Sequence, residues 1–134
     1  MEQCVFCKIV SGKIDSVKIY EDGDVLAFLD VNPDTKGHSL VIPKKHFENI
    51  FDIDIKLLKK VIAVAQKIVV TIKKSLEAQG MNVVINNGKI AGQIIPHFHV
   101  HVIPRYENGE LIVKPVLAEL KKLSEKIKNN TRGL

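Results

Sequence analysis

His97-Phe98-His99-Val100-His101-Val102-Ile103 alternates imidazole with apolar side chains. Such alternation is the pattern of a strand with two unlike faces. His97, His99 and His101 then share one side, each ~6.5–7 Å from the next. Phe98, Val100 and Val102 take the other, towards a core. The chain has 5 histidines, and three of them fall on this one face. A row of imidazoles is a poor surface to bury and a good one for chemistry, because neutral imidazole serves as nucleophile, base or metal ligand.

Two chemistries suit the row. An H-x-H pair can hold a catalytic zinc with an open water position. Alternatively, one imidazole attacks phosphorus while its neighbours position the phosphate oxygens. The preceding residues favour the second. Asn86-Asn87-Gly88-Lys89-Ile90-Ala91-Gly92-Gln93 is a polar loop whose glycines let backbone N–H groups approach an anion, with the amides of Asn86 and Gln93 as further donors. Between Met81 and Arg105 there is no carboxylate to serve a metal-bound water.

Outward from this strand, Val17–Tyr20 and Val25–Leu29 flank Glu-Asp-Gly-Asp at 21–24, which predicts a hairpin. Ser39–Ile42 before Pro43 reads as a third strand and Met81–Asn86 as a fourth. From Asp54 to Gln79 the period changes. Leu58, Val61, Ile62, Ala65, Ile68, Val69, Ile72 and Leu76 recur at helical spacing, with lysines opposite. Asp52 or Asp54 can cap the start, and Gly80 is expected to supply a positive φ at the end. A last helix is expected from Pro115 through Leu117, Leu120, Leu123 and Ile127. The fold class is therefore α+β: an antiparallel sheet of about five strands, one long helix packed on a face, and a C-terminal helix. The expected organisation is a domain over 1–110 with a basic helical extension of the same domain over 111–134.

The sequence resembles the histidine triad (HIT) superfamily, in the Hint-like branch of small bacterial and archaeal members. Residues 97–103 match its His-φ-His-φ-His-φ-φ signature, with φ apolar, at every position. The likeness extends through Ala91-Gly92-Gln93, through Ile103-Pro104-Arg105, and through the stretch VLAFLDVNPDTKGHSLVIPKKH at 25–46. The resemblance implies a HIT fold and a hydrolase or transferase acting on a purine nucleoside phosphoramidate or dinucleoside polyphosphate. His99 would form a covalent nucleotidyl adduct that water resolves to nucleoside monophosphate. It implies His101 on the α-phosphate, His38 beside the nucleophile, Asn86 and Gln93 on phosphate, and Asp30 on the ribose hydroxyls. Phe6, Ile9 and Phe28, with Val5, Val31 and Leu40, would form an apolar slot for the base. It also implies a homodimer. One position departs: where the family usually has Ser or Thr after Ala-Gly-Gln, this chain has Ile94. That departure keeps alive an alternative reading, a nucleotide-binding, zinc-stapled module with little turnover.

Cys4 and Cys7 are the only cysteines, spaced C-x2-C. In a chain with no export signal this reads as a metal or redox pair rather than a structural disulfide. Zinc wants two more N or S ligands, and His46 and His97 are available. Some relatives bind a structural zinc through such a set, so the resemblance implies Zn2+ at Cys4, Cys7, His46 and His97. No organic cofactor is expected.

Length and composition bound the rest. At 134 residues, 46% hydrophobic and 26% charged, the chain has the makings of one folded domain. No apolar run approaches the ~20 residues of a membrane span, so no membrane partner is expected and the cytoplasm is the expected compartment. The net charge of +5 comes almost wholly from the tail, where Lys114, Lys121, Lys122, Lys126, Lys128 and Arg132 face only Glu119 and Glu125. Aromatics are 5% and tryptophan is absent, which leaves no stacking platform for nucleic acid.

Overall fold

In the computed structural model, which describes residues 3–107 and 115–131, the Asp-Gly signal at 22–23 becomes a hairpin. It joins β1 (Lys18–Glu21) to β2 (Val25–Leu29). Asp22 holds the turn: its Oδ1 accepts from the N–H groups of Asp24 and Val25, both at 2.8 Å. β3 (Ser39–Pro43), β4 (Gly80–Val84) and β5 (Val100–Arg105) complete the sheet. Its order among the described residues is β1-β2-β3-β5-β4, antiparallel throughout. With its helices this is the α+β architecture that the spacing predicts.

The sheet is covered on both faces, which explains why Val25–Leu29 is a continuous apolar run rather than an alternating one. Val25, Ala27, Leu29, Val41, Val100 and Val102 face a core that also holds Phe98 and the inner stripe of α2 (Ile55–Leu76). Leu26, Phe28, Leu40 and Ile42 point the other way. There they meet Cys4, Phe6 and Ile9, which come from α1 (Val5–Val10) and the residue that caps it. α3 (Leu117–Thr131) returns to pack on α2 and β1, burying Leu120 and Ile127.

Several expectations shift. Asp54 caps α2, its Oδ2 accepting from the Leu57 N–H at 3.1 Å. The left-handed residue at the other end is Glu77 (φ 56), not Gly80, which already begins β4. Ile62, expected on the buried stripe, is exposed, and Leu57 and Val64 take inward positions instead. Strand pairing on the histidine segment starts only at Val100, so His97, Phe98 and His99 precede β5. Their alternation persists nonetheless, with Phe98 in the α2-side core and both His97 and His99 against Phe6. The last helix begins at Leu117, two residues after Pro115. The expected boundary near residue 110 lies outside the described residues, as do Lys114 and Arg132. No helix among the described residues is long and apolar enough to cross a membrane.

Candidate active site and metal centre

On the α1 side of the sheet lies a cavity of about 760 Å³. Val5, Phe6 and Ile9 of α1, Phe28 of β2 and Leu40 of β3 supply apolar walls, with Val31 beside them. Asp30, His38, Asn86, His99 and His101 supply polar groups to the same cavity. The sequence anticipates these members of the lining. It does not anticipate Ile14, Asn32 or Asp34, short-loop residues that no periodic pattern marks.

Hydrogen bonds fix the tautomers of His99, His38 and His101. His99 Nδ1 lies 2.7 Å from the carbonyl oxygen of His97. A carbonyl only accepts, so Nδ1 carries the proton and Nε2 keeps its lone pair. Burial is the main force holding His99 below its ordinary pKa, which keeps the ring neutral. The second chain of bonds starts from backbone. The Asp34 N–H donates to His38 Nδ1 at 2.9 Å, so the neutral His38 ring holds its proton on Nε2. That nitrogen lies 3.0 Å from His101 Nδ1, which must accept. His101 therefore carries its own proton on Nε2, as a donor. The resemblance implies His38 beside His99, the expected nucleophile; the structure places His38 against His101. The partner that orients His99 is the His97 carbonyl, a backbone atom that side-chain pattern does not reveal.

The loop 30–38 that carries His38 is pinned to β5 and beyond: Thr35 Oγ1 donates to the Pro104 carbonyl and Tyr106 Oη to the Lys36 carbonyl, each at 2.6 Å. Asp30 Oδ1 accepts from the Asn32 N–H at 2.8 Å, while Oδ2 lies 3.6 Å from His38 Nε2. Asp30, His38 and His101 thus bring three ligand-type atoms together. Because the Asp34 N–H occupies His38 Nδ1, Nε2 is committed to its proton, and the Asp34 N–H, His38 and His101 form a hydrogen-bond relay with Asp30 beside it.

The loop after Asn86 makes a single 3-10 turn, Lys89–Ala91, closed by Gly92 at φ 95. Gln93, expected on phosphate, does not line the cavity, although Gly92 and Ile94 on either side of it do. Its amide is buried in protein contacts. Oε1 accepts from the Gly88 N–H at 2.8 Å, and Nε2 donates to the carbonyls of Glu48 at 2.6 Å and Ile95 at 3.1 Å. Ile94 is 89% exposed at the cavity mouth.

Cys4, Cys7, His46 and His97 converge as expected, with one ligand atom from each within 4.8 Å of all the others. Cys4 caps α1 and its Sγ accepts from the Cys7 N–H at 3.3 Å, so the C-x2-C spacing sets both sulfurs at one helix end. The Nδ1 atoms of His46 and His97 are 3.1 Å apart, and Cys7 Sγ lies 3.3 and 3.6 Å from them. Tetrahedral zinc at ordinary bond lengths spaces its N and S ligands roughly 3.3–3.8 Å apart, so these donors fit such an ion. His97 Nε2 donates to the Pro43 carbonyl at 2.8 Å, which leaves Nδ1 as the ligating nitrogen. Burial pushes His97 down to about 4, and burial with the neighbouring Cys4 pushes the Cys7 thiol up to about 11. Both directions favour uncharged donors, and a bound cation would reverse the thiol's.

The HIT domain profile matches residues 11–108. The Hit protein of Bacillus subtilis is 49% identical over 109 residues, covering 81% of this chain and 75% of the relative. A hypothetical histidine triad nucleotide-binding protein of Sulfolobus tokodaii superposes with a TM-score of 0.92 at 33% identity, over 98% of this chain and 93% of that one. A zinc-bound histidine triad family protein of Mycobacterium smegmatis superposes with a TM-score of 0.88 at 36% identity, over 97% and 94% of the two chains.

Proposed function

Because this chain belongs to the HIT domain family, we propose that it is a nucleotidyl hydrolase or transferase acting through His99. The substrate class is a purine nucleoside phosphoramidate or dinucleoside polyphosphate, and the product a nucleoside monophosphate. The observation that carries this reading is the 2.7 Å bond from His99 Nδ1 to the His97 carbonyl, which leaves a neutral, lone-pair-bearing Nε2 on a cavity-lining ring.

In the first step His99 Nε2 attacks the α-phosphorus. A P–N or P–O bond breaks, and the leaving group takes the bonding pair and a proton. His101 holds a proton on Nε2 for that group or for an α-phosphate oxygen, and the His38 relay keeps it there. In the second step water attacks phosphorus, returns the electron pair to His99 Nε2 and restores the proton. Splitting the displacement this way lowers both barriers, and fixed donors meet the phosphoryl charge. Asp30 suits the ribose hydroxyls, Asn86 the phosphate, and the Phe6, Ile9 and Phe28 wall the base. Cys4, Cys7, His46 and His97 would hold zinc, which would supply a structural staple between α1 and the histidine segment. A homodimer goes with this reading: among the described residues β4 is an edge strand without a charged side chain, suited to pairing with a second copy. So does a cytoplasmic setting, where thiols stay reduced.

The test is AMP release from an adenosine phosphoramidate by the wild type and by His99→Ala. Release should fall by at least about a thousandfold in the variant. Equal release would overturn the mechanism. The exposed Ile94 favours a second reading, a nucleotide-binding module with little turnover. AMP binding by the wild type without turnover of any phosphoramidate or dinucleoside polyphosphate would establish it.

A further inference from the structure

Phe6 sits between the two cysteines in the sequence and between two sites in space. Its ring meets His97 edge-on at 5.8 Å between centroids and 78°, and His99 at 5.2 Å and 83°. It also meets Phe28 of the apolar wall at 5.6 Å and 73°. One buried ring therefore touches a member of the four-donor cluster, the proposed nucleophile and the proposed base slot. The helix that carries it has six residues, too few to hold itself. Of the cluster's members, Cys4 caps this helix and Cys7 lies on its first turn. His97 adds a second link, since its ring belongs to the cluster while its carbonyl orients His99.

We propose that Phe6 is a positioning residue through which cation binding at Cys4, Cys7, His46 and His97 governs nucleotide binding in the cavity. The proposal rests on the nucleotide reading above and goes beyond a structural staple. A cation that gathers the two sulfurs fixes the α1 axis, and so fixes the ring on which both His99 and the base pack. Without that tie the ring is free to leave, and the base slot loses a wall. Aromatic edge contacts of this kind are worth about 0.5–1.5 kcal/mol each beyond burial. Binding linkage is reciprocal, so nucleotide must tighten cation binding by the same factor that cation tightens nucleotide binding.

The experiment uses the full zinc-loaded chain and follows zinc loss to a chromophoric chelator, with and without saturating AMP; AMP binding is measured separately by calorimetry. AMP should tighten zinc by about tenfold in the wild type. In Phe6→Leu, at AMP concentrations that saturate it, the factor should drop below about twofold. Phe6→Tyr keeps the ring and should keep the linkage. Val31→Ala, in the same cavity but outside the cluster that packs on α1, should weaken AMP and leave the zinc linkage as in the wild type. Mere damage to the pocket would treat Phe6→Leu and Val31→Ala alike. AMP binding that leaves zinc affinity unmoved in the wild type overturns this proposal alone. Full linkage in Phe6→Leu does the same. Failure of the loaded chain to bind AMP overturns the nucleotide reading and this proposal with it, and failure to bind zinc overturns the cluster.

Discussion

His38 Nε2 and His101 Nδ1 lie 3.0 Å apart, although 63 residues separate them in the chain. The pair is ordered from behind by a backbone donor, the Asp34 N–H on His38 Nδ1, so the proton positions along the relay follow without a choice of tautomer. His38→Ala removes the donor that holds His101 in its Nε2–H form. kcat should fall by about a hundredfold, the lower end of what a correctly held proton donor contributes, and KM should move much less. Steady-state kinetics on an adenosine phosphoramidate measure both. A change confined to KM would show that His38 only shapes the pocket.

The same pair sets a pH dependence of folding. Burial is the first cause holding His38 and His101 below the ordinary value near 6.5, and Asp30 and Asp34 pull the other way without winning. As pH falls through about 6.5 the unfolded chain takes up these protons while the folded chain does not. Stability is therefore full above that value and declines below it, by no more than about 1.4 kcal/mol per pH unit for each histidine. Thermal melts of the wild type between about pH 7 and about pH 5.5 should slope downward towards acid. In His38→Asn the slope should be shallower, and an identical slope would remove His38 from this account.

Gly37 bears directly on where His38 sits. It adopts φ +91, and a Cβ there would strike Leu76 Cδ1 at the end of α2 and come within 3.3 Å of Pro104 Cγ. Gly37→Ala should destabilise the fold by about 2 kcal/mol, from left-handed strain and crowding together. Urea unfolding measures this. Turnover should fall as well, because relief of the clash moves the residue next to His38.

What could be read from the sequence was whatever repeats along it. The alternation at 97–103 reported which side chains share a face, and that survived even though regular pairing begins only at Val100. The C-x2-C spacing reported a pair of ligand-type sulfurs, although not the helix α1 that carries them. The orienting partners were hidden because they are backbone groups brought in by the fold: the His97 carbonyl, the Asp34 N–H and the Pro43 carbonyl. The place of Gln93 was hidden for a related reason. The segment that captures its amide, near Glu48, lies 45 residues away, and nothing local announces the contact.

Gln93 is the strut of the loop after Asn86. Gln93→Leu keeps its size and strands the Gly88 N–H and the carbonyls of Glu48 and Ile95. These groups are partly buried, and a fully buried group left unpaired costs about 1–3 kcal/mol, so the melting temperature should drop by less than three such losses and KM should rise as the loop loosens. An unchanged melting temperature with altered kcat alone would assign Gln93 to the chemistry instead.

Ile94 provides the sharpest separation between turnover and mere binding. Its side chain is 89% exposed at the mouth of the cavity, so Ile94→Ser removes almost no buried surface and should leave stability unchanged within about 0.5 kcal/mol. The substitution introduces a hydroxyl donor beside Gly92 and the histidine segment. One neutral hydrogen bond realised in the transition state is worth about 1 kcal/mol, or roughly fivefold to tenfold in rate. If the wild type is limited by that missing donor, Ile94→Ser should raise kcat on polar leaving groups such as a second nucleotide by this factor. Phosphoramidates with apolar amines should gain less, because the isoleucine offers them a surface that serine does not. A panel of both substrate kinds measures the ratio directly. An equal gain on both kinds would mean that the hydroxyl serves the α-phosphate rather than the leaving group. No gain on either would mean that the wild-type loop already satisfies the phosphate from backbone, and the low-turnover reading would lose the residue on which it rests.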